Sequence, residues 1–565
     1  MTWPTAPRSA LAGVEPEKPP ARMGIEILVY SWNVGNARPN PSEIEEWLPD
    51  HGGTYDLVVV GTQENDFDFK AKAVADDDDD EEEADSKNIS PEGVALKPDD
   101  RASHQISRAA KERAAKAYSK MDSPWDKMVS ERLGPGYMVV QHKSMREMRL
   151  TIYAKKEHLR GTVKCITGVQ TGQSACGIGS IIANKGGLLI KLEFGQTTLA
   201  FISCHLAAHA HKLQRRNADC QEILQETQWS AGHPLVDCAH EFDHLFWIGD
   251  LNYRIDLGAV SDTPEEERFA RVSNLIDVGD WGALMAADQL TTCQEKGEAF
   301  AGFQEGKYEF APTFKVERKP GTIYKSSRIP SYCDRILWKS MPSLSGNVKQ
   351  SFLKSSINVT TSDHKPVFSA FTVTPSSTIT PTKDGALPPL IQFEHASVDG
   401  LSGTDRTYLV FLTNPAGLLG STKEKPSRSQ SSMSKRSSTA PNRLTVEWSA
   451  EQCPLLRPMV HDVAELSRAT LIVAVYDADV LSKDDLLGVA LIPLGRKDGA
   501  AAAGGESYEI DVNMPLVKGC VSADKGTFTA KLSVTYGRKL GPALESAVGI
   551  TDVRLAQGGG CCALQ

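Results

Sequence analysis

The chain predicts an α/β fold: a four-layer β-sandwich flanked by helices, followed by an all-β sandwich. Three observations predict it. Apolar runs of strand length recur from residue 25 to about 373, most of them ending in a polar turn. A Pro/Ser/Thr-rich stretch, TPSSTITPTKDGALPPL at 374–390, then separates a second strand-dominated region. Finally, 565 residues exceed what one ordinary core organises.

Taken in order, residues 1–22 form a Pro-rich lead without an apolar segment of signal-peptide type. EILVYSWNVGNA and DLVVVGTQEN read as buried strands ending in polar turns, with a helix start at SEIEEWL between them. Residues 71–100 carry high charge and no period, so they are expected to be a disordered insertion. A helical stretch, RASHQISRAAKERAAKAYSKM, follows. Strands are expected at MRLTIYAKK, GTVKCITGV, GSIIANKGGLLIKLEF, TTLAFISCHL, FWIGDLNY, KYEFAPTFKV, YCDRILWKS and KPVFSAFTV. The boundaries are 23–375 for the first unit, 376–388 for the linker, 389–538 for the second unit and 539–565 for a flexible tail. A basic, Ser-rich loop at 421–443 interrupts the second unit.

Apolar residues make up 40% of the chain and charged residues 24%, as in a soluble globular protein. The longest apolar runs are strand-sized, well short of the roughly 20 residues that span a bilayer. Eleven cysteines lack paired or repeated spacing, and Cys165, Cys204 and Cys333 sit in apolar runs, which reads as a reducing compartment. The formal charge of −10 argues against a nucleic-acid partner. It leaves an anionic substrate open, because eight of the acids form one run, Asp76 to Glu83.

Four polar clusters follow apolar runs: Asn33 in SWNVGNA, Glu64 in TQEN, Asp250 and Asn252 in GDLN, and Asp363 with His364 and Lys365 in SDHKPV. Projecting from one edge of a sandwich, they suit metal-assisted hydrolysis of a phosphoester. Magnesium prefers oxygen ligands, and Glu64 is the first choice, with Asn33 close to the ion. Asp250 is expected to orient the attacking water and Asn252 to hold it or a phosphate oxygen. His364 is expected to stabilise phosphoryl charge, its ring held by Asp334 in YCDRIL. Alone, each motif reads as a turn or a helix cap; in combination they point to a site. Lys185 in NKGG, His205 in CHLAAH, and Lys315, Arg318, Lys319, Lys325, Arg328 and Arg335 add cations fit for a polyphosphorylated ligand.

WNVGN, QEN, NKGG, CHLAAH, WIGDLNYRID, PTFK, PSYCDRILWK and SDHKPV, in that order over 25–373, resemble the inositol polyphosphate 5-phosphatase catalytic domain. That domain has the DNase I-like fold. The resemblance implies a magnesium-dependent phosphatase removing the 5-phosphate of inositol phosphates or phosphoinositides. It implies Glu64 as metal ligand with Asn33 beside it, Asp250 and Asn252 at the water, and His364 with Asp334 at the scissile phosphate. Lys185, His205 and Arg335 become phosphate contacts or close supports, and Phe314, Lys315 and Arg328 lie near the 4-phosphate. Thr62 stands where the family has an aromatic, Tyr332 where it has Trp, and Ser326 where a cation is expected. Nucleases and sphingomyelinases of the same superfamily share GDxN and SDH but not these surroundings. The other rival is a calcium-responsive membrane adaptor with an inert phosphatase domain.

The second unit resembles a C2 domain. Asp399, Asp405, Asp477, Asp479 and Asp485 fall on two segments, IQFEHASVDGLSGTDRTYLVFL and ATLIVAVYDADVLSKDDLLGVALIPL, where calcium would relieve their repulsion. The loop at 421–443, with six Lys/Arg against one Glu, suits an anionic lipid surface. Cys562-Ala563-Leu564-Gln565 fits a prenylation signal, and Cys561 offers a second acylation point. The expected partners are inositol phospholipids and anionic membrane. The expected location is the cytoplasm, peripheral on the cytosolic face of a membrane through the prenylated C-terminus.

Overall fold

The computed structural model describes residues 24–48, 53–65, 123–159, 165–176, 184–257, 263–377, 388–402, 406–419, 426–438, 443–460, 463–478, 484–496 and 507–536. The expectations for the N-terminal lead, the acidic insertion, the helix after it, Asp405, Asp479, and the tail with Cys561 and Cys562 lie outside these residues.

Two six-stranded sheets build the first unit. One has the order β11-β12-β1-β2-β4-β3 and the other β5-β6-β7-β8-β10-β9. The strands are β1 (Ile25–Asn33), β2 (Leu57–Gln63), β3 (Tyr137–Met145), β4 (Met148–Lys155), β5 (Ile166–Cys176) and β6 (Lys185–Phe194). They continue with β7 (Thr197–His205), β8 (His244–Asp250), β9 (Gln304–Glu305), β10 (Asp334–Ser340), β11 (Val348–Ser355) and β12 (Val367–Val373).

The sheets face each other across an apolar core in which Ile27, Val29 and Val59 meet Leu188, Phe201 and Ile248. Because strand side chains alternate in direction, the other face of each sheet also presents apolar residues, and helices cover them. Short α1 (Ile44–Trp47) and α2 (Pro124–Leu133, capped by Ser123) cover Leu28, Tyr30 and Val58. On the opposite side α3 (Leu213–Ala231) covers Leu189, Ile202 and Trp247. Of three further helices, α4 (Glu265–Asp277) and α5 (Trp281–Ala286) pack Val272 and Leu284 into the cluster between the sheets, and α6 (Gln289–Glu295) packs Leu290 with α3. Helix, sheet, sheet, helix is the four-layer arrangement expected.

Two details differ from expectation. KYEFAPTFKV forms no strand; it is irregular, with isolated bridges Phe314–Ser331 and Val316–Tyr324. Pro312 donates no N–H to a ladder, which frees the segment to turn. Strands β3 and β11 and helices α3 to α6 carry mixed polarity, so they left no clear periodic signal.

The second unit is all-β. One sheet has the order β17-β18-β13-β22-β21; the other is β15-β14-β19-β20, with β16 on β14. These are β13 (Leu390–Leu401), β14 (Arg406–Asn414), β15 (Ser427–Arg428), β16 (Ser432–Met433), β17 (Lys435–Arg436), β18 (Leu444–Ser449), β19 (Thr470–Asp477), β20 (Leu486–Pro493), β21 (Ser507–Pro515) and β22 (Thr527–Thr535). Phe393, Phe411, Trp448 and Phe528 lie in its core. The basic segment is no plain loop: residues 427–436 supply three two-residue strands to the sheet edges.

The two units share apolar surface. Tyr408, Ile472 and Tyr476 pack with Val236, Met341 and Leu344. Cys520, between β21 and β22, is fully buried in the same cluster as Leu290 and Phe300 of the first unit. Asp237 Oδ2 accepts from the Gly519 amide at 2.8 Å, and the Ala301 amide donates to the Cys520 carbonyl at 2.9 Å.

Candidate active site

Strand register assembles the site. The parallel pair β1–β2 sets Asn33 opposite Gln63, one residue before Glu64. The parallel pair β7–β8 sets His205 opposite Asp250, and antiparallel β10 sets Asp334 opposite the same Asp250. Five polar side chains from separate stretches of sequence therefore meet at one end of the sandwich.

Asp250 is the hub and is almost fully buried. Its Oδ2 accepts from Asn33 Nδ2 at 2.9 Å and lies 3.3 Å from His205 Nε2 and 3.9 Å from His364 Nε2. Its Oδ1 accepts from the Asn252 amide at 3.1 Å. Burial alone would raise its pKa, but His205, His364 and Lys185 outweigh that and hold the carboxyl far below the usual range. Asp250 is therefore anionic throughout the neutral range.

His364 is positioned from every side. Its Nδ1 pairs with Asp334 Oδ2 at 2.9 Å, and Thr313 Oγ1 donates to that same oxygen at 2.7 Å. The His364 carbonyl accepts from Trp32 Nε1 at 2.9 Å, and Ser362 Oγ donates to the Asn33 carbonyl at 2.8 Å, tying the SDH turn to β1. The Phe314 ring lies on the imidazole, centroids 4.4 Å apart, and Arg254 lies over the same ring at 4.6 Å. Burial would lower the His364 pKa, but Asp334, then Asp250 and Asp363, push it up to about 10. Burial raises Asp334 while the imidazole pulls it back, so the pair is an imidazolium against a carboxylate.

Glu64, at φ 50°, turns off the end of β2 with its side chain 31% exposed, far more open than Asp250 or Asp334. Its Oε1 accepts from Asn33 Nδ2 at 2.9 Å. One amide nitrogen thus bridges the carboxylates of Glu64 and Asp250, while Asn33 Oδ1 accepts from the Gly35 amide at 3.0 Å. The donor set is carboxylate oxygen, which fits a hard divalent ion with Glu64 as ligand. Asn33 stands beside Glu64, as expected, and orients its carboxylate.

Lys185, at the start of β6, reaches His205 Nε2 at 2.5 Å; burial lowers its pKa against the pull of Glu64 and Asp250. Asn252, at φ 56°, donates to the Leu206 carbonyl at 3.2 Å and accepts from Arg254 Nη2 at 2.6 Å. Lys315 and Arg328 lie on the loop around Phe314; the Lys315 carbonyl accepts from the Lys325 amide at 3.0 Å.

Several expectations need correction. Arg335 is fully buried and contacts no substrate space: its guanidinium grips Glu305 and Asp288 at 2.6–2.9 Å and lies over Tyr308. Adjacent strand residues point to opposite faces, so Asp334 at the site sends Arg335 away from it. Lys365 is likewise buried and donates to the carbonyls of Val359 and Lys319 at 2.5 and 3.0 Å. Phe314 supports His364. Asp363 adds its charge to the pull on His364, and its carbonyl accepts from the Val316 amide at 3.0 Å. Gly186 serves strand packing, since a Cβ there would lie 2.1 Å from the Ser174 carbonyl. Arg254, Thr313, Trp32 and Ser362 are supports the sequence reading missed; Arg254 stands within the WIGDLNYRID string itself.

In the second unit Asp399 is not in a loop. It lies within β13 opposite Thr445, whose hydroxyl donates to its carboxylate. Asp477 ends β19, and its amide donates to the Asp485 carbonyl at 2.9 Å.

Residues 30–370 match the Endonuclease/Exonuclease/phosphatase family 2. The chain is similar to phosphatidylinositol 3,4,5-trisphosphate 5-phosphatase 2B of Danio rerio, 32% identical over 375 residues, 64% of this chain and 28% of that one. It is similar to type II inositol 1,4,5-trisphosphate 5-phosphatase of Mus musculus, 33% identical over 262 residues, 45% of this chain and 24% of that one. The chain spans about a quarter of the length of these relatives. A solved structure of the inositol polyphosphate 5-phosphatase domain of SPsynaptojanin, in complex with inositol (1,4)-bisphosphate and calcium ion, aligns at TM-score 0.42 and 24% identity, covering 62% of this chain and 84% of that one.

Proposed function

The chain belongs to the Endonuclease/Exonuclease/phosphatase family 2, and from that premise we propose that it hydrolyses the 5-phosphate of phosphoinositides and soluble inositol polyphosphates. The observation that carries the reading is the Asp250 hub, an anionic carboxylate within 3.9 Å of two imidazoles, one of them charged. Asp250 accepts a proton from, or orients, the attacking water. Protonated His364 stabilises the charge that develops on the phosphoryl oxygens, and Asp334 keeps its Nε2 turned toward Asp250. Lys185 adds positive charge beside His205. The cofactor in this proposal is Mg2+ at Glu64; bound there, a divalent ion supplies a Lewis-acid contact to a phosphoryl oxygen. Asp250→Ala is expected to lower phosphate release from phosphatidylinositol 4,5-bisphosphate about 100- to 10,000-fold with vesicle binding retained. Full activity in that variant would overturn the reading.

The same proposal extends to location. The second unit is a C2-type module that meets anionic membrane, with Ca2+ held at Asp477 and Asp485 together with Asp405 and Asp479. The C-terminal Cys562 is prenylated and keeps the protein on the cytosolic face of a membrane. Calcium-dependent sedimentation with phosphatidylserine vesicles, and loss of a farnesyl-sized mass in Cys562→Ser, test these two parts separately.

A further inference from the structure

An asparagine beside an attacking water can accept from the water or donate to a phosphoryl oxygen, and its surroundings decide which. Asn252 is almost fully buried and sits in the left-handed region at φ 56°, where Asn is one of the few side-chain-bearing residues tolerated. Its backbone amide donates to Asp250 Oδ1 at 3.1 Å. Arg254 Nη2 donates to its Oδ1 at 2.6 Å, and Arg254 Nε donates to its carbonyl at 3.1 Å. A guanidinium has donors only, so the side-chain oxygen of Asn252 must be the atom that faces it. Nδ2 is thereby turned away from Arg254 and gives one hydrogen to the Leu206 carbonyl at 3.2 Å. Among the described residues no acceptor takes its second hydrogen.

Arg254 is itself held in place. Its amide donates to Gln289 Oε1 at 3.1 Å, and its carbonyl accepts from the Gln289 amide at 2.9 Å. Gln289 Oε1 also accepts from Arg216 Nη2 at 2.5 Å, and Gln289 Nε2 donates to the Ala210 carbonyl at 3.2 Å. Fully buried Arg216 donates in addition to the carbonyls of Ala207 and His209 at 3.1 and 2.6 Å. The Arg254 guanidinium lies over the Phe314 ring at 4.6 Å, and that ring lies 4.4 Å from the His364 imidazole. Asn252 and His364, remote from each other in the chain, are thus joined through one guanidinium and one aromatic ring.

We propose that Arg254 is a positioning residue: it presents Asn252 as an N–H donor toward a phosphoryl oxygen and, through Phe314, keeps that donor in step with His364. The proposal deepens the 5-phosphatase reading and rests on it. Asn252 in this role stabilises charge on the phosphoryl group and takes no proton from the water. The test is kcat and KM for soluble inositol 1,4,5-trisphosphate, with Tm as the check on folding. Arg254→Met is expected to lower kcat about tenfold or more and to leave KM within about threefold. Asn252→Ala is expected to lower kcat as well. Adding Arg254→Met to it should cost less than about threefold further, because the group through which Arg254 acts is already gone. Arg254→Lys keeps the charge but not the planar fork, so its kcat should stay near that of Arg254→Met. Where Arg254→Met does not fold, Arg254→Lys carries the same cycle. An unchanged kcat, or a KM that rises with kcat preserved, would overturn the proposal, the latter as direct substrate contact. Losses that multiply in the double variant, or full recovery by Arg254→Lys, would overturn it too. Absence of phosphate release by the unaltered protein, from this substrate and from phosphatidylinositol 4,5-bisphosphate alike, would instead sink the 5-phosphatase reading itself.

Discussion

At Asp250 and Asp334, two carboxylates facing each other across β8 and β10, environment separates two roles. Asp250 stays ionised because His205, His364 and Lys185 surround it, whereas Asp334 spends its charge holding a proton on His364. Activity should accordingly persist through neutral pH and fall as pH rises through about 10, where His364 deprotonates. Replacing Asp334 with Asn removes the largest opposing charge, so the alkaline limb should move down toward the ordinary imidazole value of about 6.5. A pH–rate profile of both proteins checks this. Stability follows the same sign: a raised His pKa stabilises the fold fully below about 6.5 and loses that contribution as pH climbs through about 10. Arg335, one residue from Asp334, belongs to a different problem. Arg335→Ala strands Glu305 and Asp288 as buried charges, at a cost of about 3–5 kcal/mol in urea unfolding.

At the scale of elements, register does what no single motif does. Two parallel pairs, β1–β2 and β7–β8, bring four strand C-termini to one end, and β10 starts there. Gly249 makes the β7–β8 pairing close: its φ is +142°, and a Cβ would lie 2.1 Å from the Cys204 carbonyl. Gly249→Ala must push β8 from β7 and shift Asp250 against His205. It is expected to lower kcat more than tenfold, because an ångström of misplacement at a reacting group can cost about 100-fold. A lowered Tm should accompany it. Helices α3 and α6 matter through Arg216 and Gln289, which fix the 207–210 turn and the Arg254 backbone.

At the scale of the whole molecule the two units are not beads on a string. Cys520 completes an apolar cluster of the first unit, and Asp237 ties down the turn that carries it. Asp237→Ala would leave the Gly519 and Ala239 amides without their acceptor, each worth about 1–3 kcal/mol when buried. Thermal melting of the intact chain should show the loss, and limited proteolysis should cut sooner between the units. Three positively charged residues of the basic segment lie on short edge strands, Arg428 on one sheet of the second unit and Lys435 and Arg436 on the other.

The sequence by itself determined which chemistry is present: Glu64, Asp250, Asn252 and His364 each follow an apolar run and carry groups suited to phosphoester hydrolysis. It also determined the division into a mixed and an all-β unit, because periodicity and Pro/Ser-rich breaks are local signals. Only the tertiary structure decided direction. Asp334 and Arg335 look alike in CDRILW, yet the pleat sends one into the site and the other into a buried ion cluster. Lys365 looks like a phosphate ligand beside His364 until its ammonium is seen on backbone carbonyls. Asp399 reads as a loop aspartate until β18 pairs beside it. Arg254, Phe314 and Arg216 act through partners remote in the chain, and which remote partner a side chain meets is fixed by strand register and packing.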